Sequence, residues 1–146
     1  NGGETRNVHD QLHQIWRGMA DEGLISEEQY RKGTVLNFYK SPEEFMAPLK
    51  DTDSAPYRNG LRLVDERTVY VKCPYRRRWN EDGDTASFAA GLMATIRSWS
   101  RHSFASVAGD ALADQVYARL EQRIADAPSE WSLDYVEHHQ IMEKVA

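Results

Sequence analysis

The sequence predicts an α+β fold that is mainly helical with a few β-strands. Three observations carry that prediction. Apolar residues recur at helical spacing over 8–19 and 88–124. The stretches 61–64 and 68–73 are rich in β-branched and aromatic residues. The strands come late and far apart, too few to make a sheet alone. We read one domain over 1–146, with helices at about 8–50 and 84–127 and strands at about 61–73 and 131–145. The 146 residues suit that size, and 40% hydrophobic with 28% charged residues is globular rather than disordered.

The first helix follows from Val8, Leu12, Ile15, Trp16 and Met19, which form one apolar stripe. Gly23 stands at the expected C′ position, and Leu24 can fold back on the last turn as in a Schellman stop. Ser26 and Gln29 then read as a capping box opening a short helix that ends near Gly33. Ser41 and Glu44 make a second box, with Pro42 at the first helical position, where its missing N–H costs nothing. Phe45, Met46 and Leu49 give that helix an apolar side. Between the boxes lies the aromatic, nearly uncharged run from Thr34 to Tyr39.

Pro48 to Gly60 reads as a polar loop. Leu61 to Cys73 reads as strand, broken or bulged around Asp65, Glu66 and Arg67. Pro74 to Asp84 reads as a second loop, with Arg76, Arg77 and Arg78 in solvent, because three adjacent arginines cannot share one helix face. Asp84 caps the longest helix, which carries Phe88, Leu92, Ile96, Trp99 and Phe104 and stops at Gly109. Asp110 caps another through Val116, Leu120 and Ile124, ending before Pro128. Trp131 to Val145 closes the chain as an extended segment. The count is about five helices and three or four strands.

Composition excludes several functions. A net charge of −5 argues against a nucleic-acid binder, which needs a basic face. Cys73 is the only cysteine, so no intrachain disulfide exists and a secreted disulfide scaffold is excluded. No apolar run approaches the ~20 residues of a membrane span, and residues 1–4 do not read as a signal peptide. The expected location is cytoplasmic.

Catalytic apparatus is not visible. His138 and His139 are adjacent and would point to opposite faces of a strand, so they do not ligate one metal together. His9 and His13 have zinc-pair spacing on a helix, without the glutamate of an HExxH motif. Asn80 to Asp84 departs from the calcium-loop pattern and reads as a turn. No serine sits in a GxSxG elbow, and no GxGxxG or Walker motif is present. Cys73 beside Pro74 reads as a buried small hydrophobe. We expect no catalytic side chain and no metal site.

A run of motifs resembles the SAM-dependent carboxyl methyltransferases, which include plant salicylate, benzoate and jasmonate methyltransferases and many bacterial relatives. The motifs are Trp16, Arg17 and Met19; Asp21 to Glu28; Phe38 and Tyr39; Ser41 to Phe45; Ile96 to Trp99; Phe104 to Gly109; Gln115 to Tyr117 with Arg119; and Gln140 to Lys144. Their order covers nearly the whole chain. The resemblance implies a Rossmann-like α/β methyltransferase sheet, of which this chain holds the last two strands, with a helical cap above the substrate. It also implies that the SAM-binding part lies upstream and is absent here.

By position, the resemblance implies a substrate-binding wall of Val8, His9, Phe38, Tyr39, Ile96, Trp99 and Tyr135. Methyl transfer from a sulfonium to a carboxylate needs placement and exclusion of water more than a strong base, which suits a chain without catalytic side chains. The resemblance implies a small apolar or aromatic carboxylic acid as acceptor; members often carry a bulky aromatic where His9 stands, and that departure counts against an aromatic acid. The insert Asp51 to Gly60 looks bacterial. The implied cofactor is S-adenosyl-L-methionine, bound outside this chain. The expected partners are the acid and a second copy in a dimer, with no nucleic acid and no membrane. The alternative is a stand-alone, non-catalytic α+β module for small-ligand binding or dimerisation.

Overall fold

The computed structural model describes residues 5–35 and 40–145. Phe38 and Tyr39 lie outside the described residues. The fold is α+β, dominated by helix, with one small antiparallel sheet. The chain divides into two compact units, one from Asn1–Leu36 and Cys73–Leu133, the other from Asn37–Lys72 and Asp134–Ala146.

The first unit is helical: α1 (Val8–Asp21), α2 (Glu27–Lys32), α5 (Pro74–Asp82), α6 (Thr85–Ala108), α7 (Asp110–Asp126) and a 3₁₀ turn (Pro128–Glu130). Its core takes the predicted stripes of α1, α6 and α7, with Trp16, Ile96, Phe104, Tyr117 and Leu120 among the fully buried side chains. The Trp16 and Phe104 rings meet at 4.9 Å. The Trp16 indole N–H donates to the Tyr30 carbonyl at 3.0 Å, so its one polar atom is satisfied inside. Gly33 is small for a reason: a Cβ there would come within 2.7 Å of the Trp16 ring.

The helix ends form largely as the sequence predicts. Gly23 has φ +73°, its N–H donates to the Ala20 carbonyl, and the Leu24 N–H donates to Met19, which is the Schellman pattern. The apolar contact differs, however, since Leu24 is exposed and Ile25 is the residue buried. Both capping boxes are complete. Asp84 caps α6 through the Ser87 amide at 3.0 Å. At α7 the N-cap is Gly109, with no side-chain cap, and Asp110 is already in the first turn.

The predicted loop Pro74 to Asp84 is instead helix α5. Cys73 leaves the strand and becomes its N-cap, its Sγ accepting from the Arg76 amide at 3.4 Å; Pro74 starts the helix and Gly83, at φ +68°, ends it. Successive residues on a helix point about 100° apart, so only one of the three arginines turns inward. Arg76 does so, donating to the carbonyls of Pro128 (2.6 Å), Ser129 (2.8 Å) and Trp131 (3.0 Å), while Arg77 and Arg78 stay exposed.

The second unit holds α3 (Pro42–Lys50), α4 (Ala55–Arg58), β1 (Leu61–Val71) and β2 (Tyr135–Lys144). The predicted loop Pro48 to Gly60 is shorter than expected: α3 runs through Pro48 to Lys50, the predicted helix limit, and Ser54 caps the short α4 inside the loop. Among the described residues two strands form rather than three or four, paired antiparallel from Leu61 opposite Lys144 to Val71 opposite Tyr135. The register slips between Leu63 and Asp65, leaving Val64 as a bulge close to where the sequence predicts one. At one end the Val145 N–H donates to the Gly60 carbonyl at 2.8 Å. α3 packs on the ribbon face that carries Glu66, Thr68, His138 and Gln140. Its Met46 is buried, and the Gln140 amide reaches the Met46 sulfur at 2.9 Å.

Candidate functional site

The predicted wall residues fall into distinct environments. On the helical unit, Val8 starts α1 and Ile96 sits midway along α6, and both belong to the hydrophobic core. Ile96 has 0% of its surface exposed, so its side chain is committed to packing. His9 and Trp99 differ. Being next to Val8 on α1, His9 turns out of the core, and Trp99, three residues beyond Ile96, remains 42% exposed. Their ring centroids lie 4.9 Å apart at 47°. α1 and α6 thus bring together two predicted residues 90 positions apart as a tilted aromatic pair.

Burial lowers the His9 pKa below the ordinary histidine value, Asp10 opposing that shift and His13 adding to it. The pair is accordingly an uncharged aromatic surface near neutral pH, able to stack on a planar ligand. Tyr135 lies on the other unit at the start of β2, half exposed.

A groove of about 280 Å³ opens in the second unit between α3 and the ribbon, lined by Pro42, Glu43, Met46, Lys50, Glu66, Arg67, Thr68 and His138. Among the described residues, none of the predicted wall residues lines it. Lys50 pairs with one Glu66 oxygen at 3.0 Å, and the other lies 3.6 Å from His138 Nε2. His138 Nδ1 is 3.1 Å from the Thr68 hydroxyl. Nε2 itself is buried and makes no hydrogen bond among the described residues. The Glu43 carboxyl is held below the usual carboxylate range, first by a backbone amide and then by the Ser41 hydroxyl.

The Glu66 carboxylate, the His138 imidazole and the Thr68 hydroxyl stand in a row, but 3.6 Å is too long for the hydrogen bond that would orient an imidazole as a base. The groove is also smaller and more charged than the usual small-molecule pocket. It is best described as a polar seam joining α3 to the ribbon. Sequence reading missed it because its cross-strand pairing is long-range; the local signal was only Glu66 and Thr68 at strand spacing, one face shared.

Among the described residues no group of three or more His, Cys, Asp or Glu could hold a metal ion, and no helix is long and apolar enough to cross a membrane. No family model matches the chain, and no curated protein matches it.

Proposed function

We propose that this chain is the substrate-capping C-terminal part of a SAM-dependent O-methyltransferase that methylates the carboxylate of a small apolar or aromatic acid, acting in the cytoplasm. The observation that carries this reading is the ribbon. β1 and β2 are 11 and 10 residues long, yet among the described residues they pair only with each other. Tyr135, Val136, Ile141 and Met142 of β2 are all about half exposed. Apolar residues on both faces are the pattern of a strand inside a larger sheet covered on both sides, which is the place the sequence resemblance assigns to it. The His9 and Trp99 pair, partly open to solvent, supports the capping role, since a cap contributes apolar and aromatic walls to a small-molecule pocket.

The described residues do not themselves fit SAM. The glycines with positive φ, namely Gly23, Gly60, Gly83 and Gly109, lie between helices or lead from helix to strand. The one strand-to-helix turn, from Val71 to Pro74, contains no glycine. The sequence resemblance assigns the cofactor to a part of the polypeptide outside this chain. The chain's own contribution is to wall the acceptor and keep water from it.

Calorimetric titration of SAM into this chain tests the reading: no binding is expected, and a clear heat of binding would overturn it. In the longer polypeptide, Phe38→Ala should weaken acceptor binding and leave SAM affinity nearly unchanged. Equal loss of both would return the segment to core packing.

A further inference from the structure

We propose that the outer edge of β2 is an interface through which two copies of this chain pair antiparallel, giving a four-stranded sheet with β2 against β2 at its centre. The two edges of the ribbon are unlike. β1 carries devices that discourage further pairing: the bulge at Val64, which interrupts the ladder, and the consecutive charges Asp65, Glu66 and Arg67. β2 runs ten residues with no bulge, proline or glycine.

β2 is also where apolar surface collects. By the register, Val136 and Met142 share the face of Glu66 and Thr68, and Tyr135 and Ile141 occupy the opposite face. All four are 46–58% exposed. Among the described residues, no backbone hydrogen bond reaches β2 from outside the ribbon. Two strands alone are marginal, and a third and fourth would stabilise the sheet.

The strand is self-complementary. A twofold axis normal to the sheet keeps each side chain on its own face, so residues separated by an even number come opposite one another. Centred on His138, that axis sets Tyr135 against Ile141 of the second copy and Glu137 against its His139. Each contact occurs twice by symmetry. Apolar then meets apolar, and carboxylate meets imidazole. An axis centred on Gln140 would oppose Glu137 to Glu143, which like-charge repulsion disfavours.

The proposal does not rest on the methyltransferase reading. The two readings assign different strands to the same edge, so a β2–β2 pair and a continuing sheet exclude each other there.

Sedimentation equilibrium of the chain tests it, with circular dichroism confirming that each variant folds. A concentration-dependent dimer is expected. Ile141→Lys should weaken it about tenfold or more, since both symmetry-related contacts are lost. Glu137→Lys, a milder surface change, should weaken it in the same direction. Tyr70→Lys, on β1, should leave it unchanged. A monomer at all concentrations would overturn the proposal, as would Tyr70→Lys weakening the dimer as much as Ile141→Lys does.

Discussion

The Tyr117 hydroxyl and Ser100 Oγ meet at 2.8 Å inside the helical unit, both residues being buried. Ser100 Oγ also donates to the Ile96 carbonyl at 2.7 Å. Since that bond uses the serine proton, the tyrosine must be the donor of the pair. The two ends of this bond therefore differ in what their removal costs.

Tyr117→Phe removes a donor and leaves Ser100 still bonded, so it should cost about 0.5–1.5 kcal/mol. Ser100→Ala leaves the tyrosine hydroxyl buried without its acceptor and should cost about 1–3 kcal/mol. Denaturant titrations of the two variants would expose the asymmetry; equal costs would refute the assignment of donor and acceptor.

Alkaline stability should depend on the same residue. Burial, the largest cause, raises the Tyr117 pKa above its ordinary value of 10.0, against the opposing Ser100 hydrogen bond. The folded state thus holds the proton more tightly than the unfolded chain. The resulting stability is present below about pH 10 and lost as pH rises through the folded-state pKa. In Tyr117→Phe the loss of stability above pH 10 should be shallower, as thermal melts across that range would record.

Arg76 should be the arginine that matters in α5. Its guanidinium serves three carbonyls and lies 4.8 Å from the centre of the Trp79 ring. Arg76→Ala should cost about 2–4 kcal/mol by leaving those carbonyls without their charged donor. Arg77→Ala and Arg78→Ala should stay within about 0.5 kcal/mol, because both are exposed and the Arg78 pair with Asp82 is a surface ion pair. Three equal effects in a chemical-denaturation series would count against the inward turn of Arg76.

Gly33→Ala should destabilise by about 1–3 kcal/mol through overpacking, since the added carbon would meet both Trp16 and Val107 within 3 Å. A shift in tryptophan emission would accompany the loss. Unchanged stability would show that α2 can move away from the Trp16 ring.

Capping can be tested apart from packing. Ser26→Ala and Ser41→Ala each remove the side-chain acceptor of a complete capping box, from the amides of Gln29 and Glu44. Each should cost about 1 kcal/mol. Substituting Asp at either position should restore most of it, because that side chain also accepts at an N-cap. Failure of the Asp variants to recover stability would refute capping as the cause.

Much of the helical framework was legible because its determinants are local. The apolar spacing from Val8 to Met19, the serines of both boxes, Asp84 and the positive-φ Gly23 are all read within a few residues of where they act. Pro74 to Asp84 is polar and arginine-rich and reads as loop, although Pro74 at its start and Gly83 at its end are local helix signals; what is long-range is the inward turn of Arg76 onto three distant carbonyls. The loop read from Pro48 begins only after Lys50, α3 being held against the ribbon by the buried Met46.

The candidate site divides the same way. A strand read as broken around Asp65 to Arg67 did not put Glu66 and Thr68 on one face, nor show that Lys50 and His138 would meet them, since those contacts depend on strand pairing and on where α3 lands. Nor could spacing distinguish Ile96, turned wholly inward, from Trp99, three residues on and partly open against His9.

The sequence by itself determined which segments could be helix or strand, where most helices start and stop, and which face of each is apolar. Those follow from backbone sterics, capping hydrogen bonds and periodicity, all short-range. Only the tertiary structure decided that two strands pair with each other, that Arg76 alone of its trio turns inward, and that His9 meets Trp99. Each of those outcomes requires groups far apart in the chain to satisfy one another, and no local pattern encodes that meeting.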